Sequence, residues 1–205
     1  MARSEDRALP LPRLALLGAA ALVVLTTTVA HAAHWAPGAV IRVWVDPMRA
    51  PSGGEMLVER AMQTWTAAAD GRFRLERIAT REEAAIRVHF FARDWRYGMT
   101  QARPDPATGL IVEAEVVVAA DPAGDALDRQ IVVYLTALHE LGHAIGLSHS
   151  ADINDIMFVF RLPGDGERFF GAYRKRLRSF DDVGATRATG LSAEDVRLLR
   201  SLYDR

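Results

Sequence analysis

Residues 139 to 149 read His-Glu-Leu-Gly-His-Ala-Ile-Gly-Leu-Ser-His, and they carry the residue types best suited to chemistry in this chain. His139 and His143 are four residues apart. On a helix that spacing puts both imidazoles on one face, one turn apart, within reach of a single metal ion. Glu140 stands beside them, where a carboxylate can take a proton from metal-bound water. Gly146 allows the helix to stop, since a residue without Cβ enters the left-handed conformation at little cost. The turn then returns His149 as a third nitrogen ligand. Three histidines leave one position of a tetrahedral zinc open for water, which is the catalytic arrangement and not the closed structural one.

With those residues in view, the chain resembles the metzincin zinc peptidases. Their extended pattern H-E-x-x-H-x-x-G-x-x-H is matched by His139, Glu140, His143, Gly146 and His149. Met157 follows the third histidine by eight residues, at the place of the metzincin methionine turn, and Ser150 directly after His149 is most similar to the matrixin branch, whose animal members are the matrix metalloproteinases. The resemblance is strongest over 131–158 and continues more weakly from about 39 to 205. It implies an α+β, zincin-like fold: a twisted mixed β-sheet with two long helices, then a small C-terminal subdomain holding the Met-turn and a final helix. It also implies one catalytic zinc on His139, His143 and His149, with Met157 packed beneath it, and hydrolysis of peptide bonds in proteins or peptides with Glu140 as general base. A run at Gly98 to Ala102 aligns loosely with the short edge strand of that fold. An edge strand exposes unpaired N–H and C=O groups to which a substrate can add, so the backbone at Gly98, Met99 and Thr100 is the candidate substrate-binding segment. Two readings from other classes stand beside the peptidase. One is a zinc-containing module that binds peptides without cutting them, against which the intact Glu140 argues. The other is a membrane-surface protein working through a basic insert.

Composition sets outer bounds. The chain has 205 residues, half hydrophobic and a quarter charged, which suits one globular domain with a real core. A net charge of −1 gives no global field that would favour nucleic acid. There are no cysteines, so disulfides, thiolate chemistry and Cys-based metal sites are excluded, together with the cysteine switch by which matrixin propeptides hold their zinc inactive.

Before the domain, Arg3, Arg7 and Arg13 precede the apolar run Leu14 to Leu25, and Ala30-His31-Ala32 has the small-x-small form of a cleavage site. Residues 1–32 therefore read as a signal peptide or, if uncleaved, an N-terminal membrane anchor. Either places residues 33–205 outside the cytoplasm, secreted or at the periplasm or cell surface.

Past that segment the periodicity predicts alternating strands and helices. Ile41, Val43 and Val45 alternate with polar or aromatic neighbours as in a strand. Ser52 with Glu55 predicts a capping box for a helix whose apolar stripe is Leu57, Ala61, Trp65 and Ala68, ended by Asp70-Gly71. Phe73 to Ile78 and Ala84 to Phe91 are the next strands. His89 lies on the second of these; matrixins often hold a structural zinc in the following loop, but that loop has Asp94 and no histidine, so His89 reads as an ordinary strand residue. Leu110 to Ala119 is the last strand, with Glu113 and Glu115 on one face opposite Val112, Ala114 and Val116. The two carboxylates read as a solvated face in preference to acid–base or calcium chemistry. Structural calcium remains possible but unassignable, because Asp105, Asp121 and Asp125 form no recognisable loop. Asp125 or Asp128 can cap the active-site helix, whose buried face is Ile131, Leu135, Leu138 and Ile145.

After Met157 the chain departs from the family, continuing Phe158-Val159 and then a long insert, residues 159–190. The insert carries the basic run Arg174-Lys175-Arg176-Leu177-Arg178. It reads as a solvated loop or short helix, or as a basic rim for acidic partners or anionic membrane. Ser192 caps the final helix, with Asp195 three residues on and Val196, Leu199 and Tyr203 as its stripe. Oligomeric state leaves no mark in the sequence.

Overall fold

The computed structural model describes residues 33–92 and 97–204. The N-terminal segment 1–32 and the loop containing Asp94 lie outside the described residues. Five strands form one sheet: β1 (Ala39–Val45), β2 (Phe73–Arg77), β3 (Ile86–Phe91), β4 (Gly98–Pro104) and β5 (Ile111–Ala119), in the order β2-β1-β3-β5-β4. All neighbours are parallel except β4, which runs antiparallel to β5 at one edge, with Thr100 opposite Val116. The described residues also form four α-helices: α1 (Gly54–Ala69), α2 (Ala126–Ala144), α3 (Asp165–Arg174) and α4 (Ala193–Tyr203). This is the mixed α+β architecture anticipated above.

Alternation along the strands produces the core. Ile41, Val43 and Val45 of β1, Ile86, Val88 and Phe90 of β3, and Ala114, Val116 and Val118 of β5 are buried, as a period-two strand requires when one face is covered. Helices α1 and α2 pack side by side to cover it. Trp65 of α1 is fully buried and donates Nε1–H to the Leu138 carbonyl at 2.8 Å, and Thr64 meets the Tyr134 hydroxyl at 3.1 Å. Trp65 is thus a core residue with its polar handle satisfied. The other face of the sheet carries a charged ladder. Arg87 bonds Glu113 and Glu115 at 2.8 and 3.0 Å, Arg103 pairs with Glu113, and His89 Nε2 meets Glu115 at 2.9 Å. His89 is therefore engaged by a carboxylate on the sheet surface, away from the three-histidine cluster.

Three local expectations need correction. Ser52 does not cap α1. A turn closed by Gly54 N–H on the Pro51 carbonyl at 2.7 Å puts Gly53, at φ 75°, in the N-cap position, and no side chain caps the helix. Val112 does not face the core with Ala114 and Val116. The pairing of β4 with β5 slips between Arg103 and Pro104, so Ile111 is buried and Val112 is 42% exposed; a bulge inserts one residue and reverses the alternation beyond it. Strand β3 begins at Ile86, since Arg81–Glu83 form a 3-10 turn before it.

The insert is more ordered than a solvated loop. Buried Asp165 accepts the Arg161 and Leu162 N–H groups at 2.9 Å and so shapes the turn before α3. At the other end of α3, Tyr173 donates to the Ala188 carbonyl, and Arg174 pairs with Asp125 and Asp128, which together form the capping box of α2. Arg176 lies over the Tyr173 ring at 5.7 Å. Arg174 thereby ties the insert to the domain, and Arg176 is engaged within the insert. Among the described residues, no helix is long and apolar enough to cross a membrane.

Candidate metal centre and substrate cleft

Helix α2 delivers His139, Glu140 and His143, and its stop delivers His149. The N–H of Gly146 bonds the His143 carbonyl at 3.0 Å and that of Leu147 bonds the Gly142 carbonyl at 2.9 Å, the paired bonds of a Schellman ending. Gly146 sits at φ 102°, and a Cβ there would collide with the Ala33 carbonyl. Only glycine meets both conditions. The turn itself is held from outside: Trp35 Nε1 donates to the Ala144 carbonyl at 2.8 Å and Tyr203 Oη to the Ile145 carbonyl at 2.9 Å.

The three imidazoles converge. His143 Nε2 lies 3.1 Å from both His139 Nε2 and His149 Nε2. The opposite ring nitrogens of two of them face carbonyls: His139 Nδ1 meets Ile156 O at 2.7 Å and His143 Nδ1 meets Leu147 O at 2.8 Å. A carbonyl only accepts, so both Nδ1 atoms carry the proton and both Nε2 atoms present lone pairs. Two lone pairs at that distance make no hydrogen bond; they need a cation between them. Tetrahedral zinc with Zn–N of about 2.0–2.1 Å sets its nitrogens roughly 3.3–3.4 Å apart, close to what is found. Burial keeps the rings neutral and ready to ligate, pushing His139 down to about 4, with the neighbouring His143 and His149 adding to the effect. His143 and His149 are lowered too, first by burial. These three residues fit a zinc ion with an open fourth side, and they are the one such cluster among the described residues.

Beneath the cluster lies the turn from Ser150 to Met157. Ser150 N–H bonds the Met157 carbonyl at 2.7 Å, and Asp155 accepts from the Ser150 and Ser192 hydroxyls at 2.6 and 2.7 Å. Asp195 of α4 accepts the Ile156 N–H at 2.9 Å. Since the Ile156 carbonyl orients His139, the Ser192–Asp195 cap of α4 reaches His139 through one residue, Ile156. Met157 is 1% exposed, and a Cβ on Gly142 would overlap its sulfur. Gly142→Ala is accordingly expected to lower stability by about 1–3 kcal/mol, the usual cost of overpacking, as read by thermal or urea denaturation.

Glu140 is 6% exposed. Burial pushes its carboxyl up to about 7, against a smaller opposing effect of the Thr100 hydroxyl. That hydroxyl lies 2.7 Å from Glu140 Oε2 and 2.8 Å from the Glu140 carbonyl. Gly98 lies against the same side chain, and a Cβ there would be 2.7 Å from Glu140 Cγ and Oε1. The three edge-strand residues singled out for their backbone thus include two, Gly98 and Thr100, that touch Glu140. Met99, between them, is half exposed.

A cavity of about 170 Å³ opens beside His139 and Glu140. Leu135 and Thr136 of α2 line one side, Tyr97 and Gly98 another, and Phe158, Phe160, Phe169 and Phe170 are among those that face them. Phe160 meets Tyr97 at 5.6 Å and Phe170 at 5.6 Å, centre to centre, and Tyr97 meets Phe170 at 5.0 Å. The departure after Met157 therefore builds an aromatic wall, completed by α3. Periodicity gave no sign of it, because Phe169 and Phe170 are adjacent in sequence and acquire a common role only when α3 is tied down at both ends.

The matrixin family model matches residues 50–169, more than half of the chain. The match spans β2 to β5, α1 and α2, all three histidines and Met157, and ends inside α3.

Proposed function

The chain belongs to the matrixin family of peptidases, and from that premise we propose that it is a zinc-dependent endopeptidase acting on proteins or peptides. The observation that carries the proposal is the meeting of three imidazoles, two of them with Nε2 lone pairs aimed at one point, next to a buried carboxylate. His139, His143 and His149 would hold the ion. When bound, zinc supplies Lewis-acid activation of a water and of the scissile carbonyl.

The chain's own residues do the rest. Glu140 takes the proton of the attacking water and returns it to the leaving amine. Its place beside the histidine cluster, buried and next to β4, suits both tasks. Strand β4 is an edge strand of the sheet among the described strands, and we place the substrate along it, beside Gly98 and Thr100. The aromatic cavity takes an apolar side chain next to the scissile bond and excludes water from it. On the export-like residues 1–32, we place this activity outside the cytoplasm.

The test is cleavage of a peptide library by the full chain, with and without a zinc chelator. Cuts that vanish with the chelator, return with zinc and cluster beside apolar residues are the expected result. A library left intact by zinc-loaded protein would refute the peptidase and leave a peptide-binding module.

A further inference from the structure

The geometry points to Thr100 as a positioning residue that fixes the Glu140 carboxylate through Oε2 and leaves Oε1 as the oxygen that works. The inference rests on the peptidase reading of Glu140 and adds to it a residue outside the histidine motif. The two carboxylate oxygens are not equivalent. Oε2 lies 2.7 Å from the Thr100 hydroxyl, whereas Oε1 accepts no hydrogen bond from any described residue and borders the Cα of Gly98. A glutamate has three side-chain torsions, and its terminal one is broad. Held only by its helix, the carboxylate samples several orientations; a short charge-assisted bond to one oxygen selects among them.

Thr100 is itself well held. It lies in the paired part of β4, opposite Val116 of β5, and its β-branch restricts χ1. Its hydroxyl is also 2.8 Å from the Glu140 main-chain carbonyl. One hydroxyl has one proton, and when Glu140 is ionised, as a base must be, Oε2 is the stronger of its two acceptors. Gly98 completes the arrangement. With no side chain, it lets β4 close onto the carboxylate, which a Cβ at that position would displace. The pattern Gly98-x-Thr100 puts both residues on the same side of the strand, facing α2.

The experiment compares Thr100→Val, Thr100→Ser and the unsubstituted full chain, each loaded with zinc. Thr100→Val keeps the shape and removes the hydroxyl. It is expected to lower kcat by about 10- to 100-fold, the effect of one hydrogen bond to a charged group, with KM changed by less than about 2-fold. Thr100→Ser restores kcat to within about 3-fold, because the donor is retained. Crystal structures of the zinc-loaded proteins supply a readout independent of turnover: Glu140 in one orientation with Oε2 on residue 100 in the unsubstituted and serine forms, and turned or split in the valine form. An unaltered kcat in Thr100→Val, or an unmoved carboxylate, overturns the inference. So does a lowered Tm with kcat and KM impaired together, which would make Thr100 a tie between β4 and α2. If the unsubstituted chain cuts nothing, the peptidase reading fails on its own, and the crystals still decide whether Thr100 fixes the carboxylate.

Discussion

Glu140→Ala binds zinc as the unsubstituted chain does and loses turnover by about 10²- to 10⁴-fold, the range of a positioned general base. The residue contributes no ligand atom to the histidine cluster, so metal content measured on the purified variant should stay at one equivalent. Folding is not at risk. The substitution removes a buried carboxylate, whose desolvation opposes folding, and the Thr100 hydroxyl keeps the main-chain carbonyl of residue 140 as its acceptor. Steady-state cleavage beside metal analysis therefore separates chemistry from structure. A variant that keeps near-normal kcat/KM would remove Glu140 from the mechanism.

His143→Ala gives the opposite pattern, loss of metal and activity together. His143 is the central member of the cluster, 3.1 Å from each of the other two Nε2 atoms, and without it two imidazoles remain. In the unsubstituted chain, zinc at a hundredfold excess over its Kd stabilises the fold by about 2.7 kcal/mol. For a chain of this size that raises Tm by roughly 5–10 °C. His143→Ala should show little of that shift and no chelator-sensitive cleavage. A full zinc-dependent rise in the variant would mean that the metal binds elsewhere.

The parts of this molecule that the sequence foretold share one property: their causes are local. The i, i+4 histidines need only a helix, Gly146 only a positive φ, Ser192 and Asp195 only a capping box. Buried alternation in β1 and β3 follows from one covered face. What escaped depends on distant partners. Val112 turns outward because β4 slips against β5, and a register belongs to two strands. Ser52 has the right type for a cap, but the turn begun at Pro51 places Gly53 there instead. Thr100 was marked for its backbone, while its hydroxyl reaches a side chain forty residues away in sequence. The insert reads in sequence as a solvated loop or short helix, and α3 is that helix, but only the fold shows Arg174 meeting the acidic cap of α2.

These parts combine in one account of the centre. Helix α2 and its glycine stop bring three imidazoles together, the turn at Met157 orients one of them, β4 holds the carboxylate, and the insert walls the adjoining cavity. We propose that turnover belongs to a single zinc ion at the histidine cluster. That proposal is tested most directly by titrating zinc into metal-free protein while following peptide cleavage. Activity should start at zero, rise in proportion to bound metal and stop rising at one equivalent. Cleavage already present in the metal-free protein, or indifferent to the zinc added, would contradict it.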